Sequence, residues 1–186
     1  MSKLVDSLIN QIIAYTPNEK AKISTTIVEV LGGDASTRVT NLPTRRGKAD
    51  GGIDGRIKII AKTIEKKRVK QGLLYEIGLA GEQEAGVSVK LQSELFSREQ
   101  LGGFKLDLER ENIYVGIIIT ARGLAPDVEY VIKEINKDEI YRFYHISIKD
   151  ILLGKIEISG IEFMCGDISK RLRDELAKSI ETQNAD

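Results

Sequence analysis

Three side chains have the types that hydrolysis of a phosphate ester needs, and each is set where the chain could bring it to a shared edge. Asp54 lies between glycines in GGIDGRI, residues 51 to 57; Lys90 stands in VSVKLQ, residues 87 to 92; and Glu29 falls in the last turn of a predicted helix that stops at Gly32 and Gly33. Cutting a phosphodiester requires oxygen ligands for Mg²⁺ and a cation near the scissile phosphate, because a water must be activated and growing negative charge stabilised. Aspartate, glutamate and lysine fill those roles without a histidine. The chain has a single histidine, His145, and a single cysteine, Cys165, so zinc chemistry of the His or Cys type and an internal disulfide are both excluded. Taken singly, an aspartate in a glycine-rich turn, a lysine on an open strand face and a glutamate at a helix end are ordinary turn and surface residues. Their order along the chain is what gives them weight.

The elements that must position them can be read from periodicity. Leu4, Leu8, Ile12 and Ile13 repeat at helical spacing, and after Thr16 and Pro17 a second helix is predicted over 18 to 31. STRVTN, residues 36 to 41, alternates like a strand, and 43 to 52 reads as a basic, glycine-containing loop. From Ile53 a strand with unlike faces follows, then a basic turn over 66 to 72, a possible strand over 73 to 80 and a turn over 81 to 86 carrying Glu82 and Glu84. In VSVKLQ, Val87, Val89 and Leu91 point to one side and Ser88, Lys90 and Gln92 to the other, as in a half-buried strand. Ser97 with Gln100 three residues later is a capping box for a helix reaching about residue 110, and IYVGIIIT, residues 113 to 120, is a strand apolar on both faces. Strand, helix, strand in that order implies a parallel crossover. Helix is expected over 127 to 136, strand over 141 to 146, a short helix over 148 to 153, a short strand over 156 to 158 and a closing helix over 168 to 181. His145 in RFYHI is expected to pack or hydrogen-bond, Cys165 to be a buried thiol, and Tyr141, Phe143 and Tyr144 to make core or subunit contacts.

The fold class is α/β with a mixed central sheet flanked by helices, in a single domain over 1 to 186: N-terminal helices over 1 to 33, a core over 36 to 135 and strand and helix elements over 136 to 186. The 186 residues carry 28 Lys and Arg against 28 Asp and Glu, with 41% hydrophobic residues, enough for a sizeable core. Residues 1 to 72 hold 14 basic and 7 acidic side chains and the remainder 14 and 21, so the halves carry +7 and −7. The basic excess includes Arg45, Arg46, Lys48 and Arg56, a density suited to a phosphate backbone or to a solvated basic face. No apolar run approaches the roughly 20 residues of a membrane helix, and the N-terminus lacks a signal-peptide pattern, so a cytoplasmic location is expected.

Over about residues 20 to 135 the sequence resembles the Mrr-type branch of the PD-(D/E)XK restriction endonuclease superfamily: a helix ending in a glycine pair after Glu29, then DGGIDGRI (50 to 57), VSVKLQ, a helix, and a strand ending in ITARG (119 to 123). The resemblance implies a restriction-endonuclease-like core, with Asp54 as metal-binding aspartate, Lys90 as catalytic lysine and Glu29 as the helix glutamate that completes a Mg²⁺ site. Ser88 stands where the superfamily has an acidic residue or, in Mrr-type members, often glutamine. A hydroxyl there can bind a metal's water without adding charge. The segment from about 62 to 86 exceeds the usual hairpin. In size and motif layout the chain looks like the small subunit of a heterodimeric type IIS restriction endonuclease, in which a larger DNA-recognising, nicking subunit reads double-stranded DNA and the small subunit cuts the other strand. A self-sufficient Mrr-like homodimeric nuclease and a non-catalytic DNA-binding domain retaining the fold are the alternatives.

Overall fold

The computed structural model describes residues 2 to 35, 52 to 61, 65 to 70, 73 to 78, 81 to 138, 140 to 153, 155, 158, 160 to 163 and 174. Helix α1 (Ser2–Ala14) turns Val5, Ile9 and Ile12 into the core at intervals of three and four residues. Helix α2 (Pro17–Val30) begins on a reciprocal cap: the Glu19 N–H donates to Thr16 Oγ1 and the Thr16 N–H to Glu19 Oε2, with Pro17 in the first turn. It stops where Gly32 takes φ 80°, a conformation that costs a glycine nothing. Ile23, Ile27 and Val28 form its buried stripe.

Strands β1 (Gly55–Ala61), β4 (Gly81–Lys90), β5 (Val115–Thr120), β6 (Arg142–Ser147) and β7 (Ile161–Phe163) form a sheet in the order β6-β5-β4-β1-β7. The β1–β4 and β1–β7 pairs are antiparallel, whereas β4–β5 and β5–β6 are parallel. A hairpin of β2 (Glu65–Lys70) and β3 (Leu73–Gly78) stands as a separate two-stranded sheet. One face of the large sheet packs Val87, Val89, Ile117, Ile119 and Ile146 against α1, α2 and α5 (Ile148–Leu152). The other packs Ile118 and Phe143 against α3 (Arg98–Arg110) and α4 (Pro126–Asp138). The result is a three-layer α/β arrangement with a mixed sheet between helices. Among the described residues no helix is long and apolar enough to cross a membrane.

The capping box of Ser97 and Gln100 starts α3, and β5 is buried on every residue, both as the sequence predicts. Other expectations are corrected. The basic stretch read as a turn is strand β2, because its backbone finds a complementary edge in β3, and charged side chains do not prevent such pairing. The stretch over 81 to 86 is no turn but the first half of β4, paired with β1 from Gly55↔Val87 to Ala61↔Gly81. Gly86 is small because Leu108 would meet a Cβ there at 2.5 Å, so packing and not turning explains it. Within 87 to 92 the polar side is less open than expected at one position: Ser88 is buried along with Val87, Val89 and Leu91, whereas Lys90 and Gln92 remain partly exposed. The last short strand lies at Ile161–Phe163, and Ile158 is outside it. The expected strand over 36 to 41, Cys165 and all of the closing helix except Asp174 lie outside the described residues.

Gly116 tests how tightly the layers meet. A Cβ there would stand 2.7 and 2.8 Å from the Phe143 ring and 2.9 Å from Leu108 Cδ1. Gly→Ala in a strand ordinarily gains from the unfolded chain's lost freedom, but here overpacking against a buried ring outweighs it. Gly116→Ala is expected to cost about 1–3 kcal/mol, read as a lowered urea midpoint with an unchanged slope.

Candidate active site

Asp54 sits one residue ahead of the Gly55↔Val87 pair, just before β1 begins, where the chain already leans on β4. Its backbone N–H donates to the Val87 carbonyl at 2.7 Å, and its Oδ2 accepts the Val89 N–H at 2.6 Å. These two anchors flank Ser88. The same oxygen lies 3.7 Å from Lys90 Nζ, an ion pair whose side chains are 34% (Asp54) and 26% (Lys90) exposed. The convergence follows from alternation, since Val87, Val89 and Leu91 enter the α1/α2 side and leave Ser88 and Lys90 to the α3/α4 side. Gly55 allows the close seating that brings Asp54 there: Val28 of α2 would meet a Cβ on it at 2.4 Å.

Burial pushes the Asp54 carboxyl above the usual aspartate value of 3.8, although Lys90 and the Val89 N–H both pull the other way. Ser88 is fully buried, and its Oγ has no hydrogen-bond partner among the described residues. Such an orphan costs about 1–3 kcal/mol unless something supplies the missing bond. The edge therefore holds a fixed carboxylate, a cation and an unsatisfied hydroxyl, an arrangement able to bind a hard cation or polar ligand and to neutralise an anion.

Not every expected residue joins them. Glu29 is exposed; no hydrogen bond or ion pair links its carboxylate to Asp54 or Lys90, although its neighbour Val28 packs on Gly55. Among the described residues no group of three or more His, Cys, Asp or Glu side chains could hold a metal ion. Arg56 is clasped between Glu84 at 2.9 Å and Glu111 at 2.5 Å, so a phosphate would have to compete with two carboxylates for it. Arg45, Arg46 and Lys48 lie outside the described residues.

Two neighbours of the pair were missed by sequence reasoning. Thr120 is the register partner of Lys90 across the parallel β4–β5 ladder and is 2% exposed. Gln92, two residues past Lys90, exchanges amide bonds with Gln100, whose Oε1 also accepts the Ser97 N–H at 2.9 Å. The capping box was legible, but its second use as a tie to the lysine strand depends on loop geometry. Phe143 is buried and meets Phe104 edge-on at 5.9 Å, so its place is in the core. No protein-family model, curated protein or solved structure matches the chain.

Asp54→Asn keeps an oxygen for the Val89 N–H and removes the buried charge. A carboxyl whose folded-state pKa is raised favours the folded state fully below 3.8, and that contribution is lost as pH rises through the folded value. The variant is therefore expected to match wild type in strong acid and to unfold at a higher temperature at neutral pH. A lower neutral-pH midpoint for the variant would show that the Lys90 and Val89 contacts outweigh desolvation.

Proposed function

We propose that this chain is a Mg²⁺-dependent DNA endonuclease subunit that hydrolyses one strand of duplex DNA, with the site chosen by a larger DNA-recognising subunit. The observation that carries the reading is the anchored Asp54 beside Lys90 and the orphaned Ser88 hydroxyl at the end of β4. The ordered resemblance to Mrr-type PD-(D/E)XK nucleases, including the small subunits of heterodimeric type IIS enzymes, supports it, as does the mixed sheet between helices.

The donor set fits Mg²⁺. Oδ2 of Asp54 is engaged, its other oxygen takes no hydrogen bond from the described residues, and Ser88 offers a second oxygen that lacks a partner. Both are hard ligands, and Mg²⁺ is commonly held by one or two carboxylates together with substrate phosphates. Asp54 and Ser88 would hold it, with Glu29 the further carboxylate implied by the resemblance; when bound, it supplies positive charge and a more acidic water. Lys90 places its ammonium beside the scissile phosphate and offsets charge that grows in the transition state. Asp54, fixed by Val89, orients that ammonium and the attacking water. Arg45, Arg46, Lys48 and, once released from its glutamates, Arg56 contact backbone phosphates and leave base reading to the partner.

Asp54→Ala and Lys90→Ala are each expected to lower strand cleavage about 100-fold or more, and Ser88→Ala less, in a nicking assay with Mg²⁺. Near-normal cleavage by Lys90→Ala would refute its assignment. In a complex with the large subunit, Lys90→Ala should leave a single nick where the intact complex makes a double-strand break. A chain that alone cuts both strands at a fixed site would instead be a self-sufficient homodimer, and one that binds duplex without cutting in any complex would be a binding domain. Neutralising two of Arg45, Arg46 and Lys48 should weaken binding to all sequences and flatten its salt dependence by about one unit per lost contact.

A further inference from the structure

The parallel strands β4, β5 and β6 end side by side, and their ends carry a polar row on the α3/α4 face. Lys90 pairs in register with Thr120, and Thr120 with Ser147. Thr120 Oγ1 lies 2.8 Å from His145 Nε2 and accepts the Gly123 N–H at 2.9 Å. Gly123 adopts φ 96°, and its carbonyl accepts the Phe96 N–H at 3.0 Å; the Phe96 carbonyl in turn accepts the Ala125 N–H at 3.1 Å. The Ala121 N–H donates to the Lys90 carbonyl at 3.1 Å. One buried hydroxyl thus ties the imidazole on β6 to the turn that closes over the end of the lysine strand.

The hydroxyl has one proton to give. With Gly123 donating to it, it can give that proton to Nε2 of a neutral imidazole in the Nδ1–H tautomer, whereas in the Nε2–H tautomer the ring donates to the second lone pair of Oγ1. A charged ring would donate through Nε2 instead, filling the second lone pair of Oγ1 and leaving the hydroxyl proton without this acceptor. From the elements packed on the ring, Asp150 of α5 and Glu129 of α4 favour the charged form, β5 contributes Thr120, and burial, the larger effect, favours the neutral one.

We propose that Thr120 and His145 are a positioning pair for the Lys90 end of the sheet, with the neutral imidazole as the working form. The part played in cleavage rests on Lys90 being the cation of a nuclease site; the coupling of ring, hydroxyl and turn does not.

Because the chain has a single histidine, the ring can be followed by NMR without ambiguity while the full chain is titrated from about pH 8 to about pH 5. The Gly123 and Lys90 amide resonances should move with the His145 midpoint, below the ordinary imidazole value of 6.5, and in Thr120→Val they should cease to follow it. Thr120→Ser should restore the link. In the complex with the large subunit, Thr120→Val should lower the cleavage rate about tenfold with little change in KM. His145→Gln, which keeps an acceptor near the Nε2 position but cannot take up a proton, should lose the imidazole's part of the acid limb. Amides that ignore the His145 titration would overturn the coupling, and an acid limb unchanged in His145→Gln would assign it to Asp54 and overturn the positioning role. If no combination of chains cleaves DNA, the nuclease reading fails, and the NMR titration alone decides the pair.

Discussion

The candidate site depends on one hydrogen bond, from the Val89 N–H to the Asp54 carboxylate at 2.6 Å. Just ahead of the first residue of β1, a side chain takes on the task of holding β4, and the carboxylate becomes part of the sheet's bonding. An acid fixed by the backbone is held in place before any ligand arrives, which is the condition under which charge works best in a partly buried setting. The same bond sets the distance to Lys90, because both groups are placed by consecutive residues of one strand.

The arrangement carries a cost at that edge. Along β5 every residue is buried, and Ile117, Ile118 and Ile119 carry no polar side-chain atom that needs a partner. Ser88, on the neighbouring strand, is equally buried yet its hydroxyl finds no partner among the described residues, and Asp54 carries a charge that burial resists. Tyr15 Oη and Arg56 Nε are likewise buried without a hydrogen-bond partner among the described residues, so the edge is one of a few places where the core gives up polar satisfaction.

The legible parts of the sequence were those settled by neighbours along the chain. Ser97 and Gln100 specify the start of α3 through a local bond pattern, and the alternation in 87 to 92 puts Ser88 and Lys90 on one face whatever strand lies beside them. Glycine was the weakest guide. Gly81 and Gly86 suggested a turn, yet Gly86 answers to Leu108, which lies 22 positions away in sequence. The link from Thr120 to His145 was invisible for a related reason: it joins residues on adjacent strands that are offset from the Thr120↔Ser147 pair, so it exists only once the β5–β6 register is fixed. Glu29 shows the opposite limit, since its place at a helix end was read correctly while the direction of its side chain was left to packing.

A side chain also completes the backbone at the far edge of the sheet. Asn136 of α4 donates Nδ2–H to the Phe143 carbonyl at 2.8 Å and accepts the Phe143 N–H on Oδ1 at 2.7 Å, so its amide stands where the next strand's peptide would. An incoming strand from another molecule would meet an occupied position near the start of β6 and could not form an unbroken ladder along it. The helix that covers this face thereby also guards its rim, and a sheet with so apolar a centre is kept from growing by templated addition at that point.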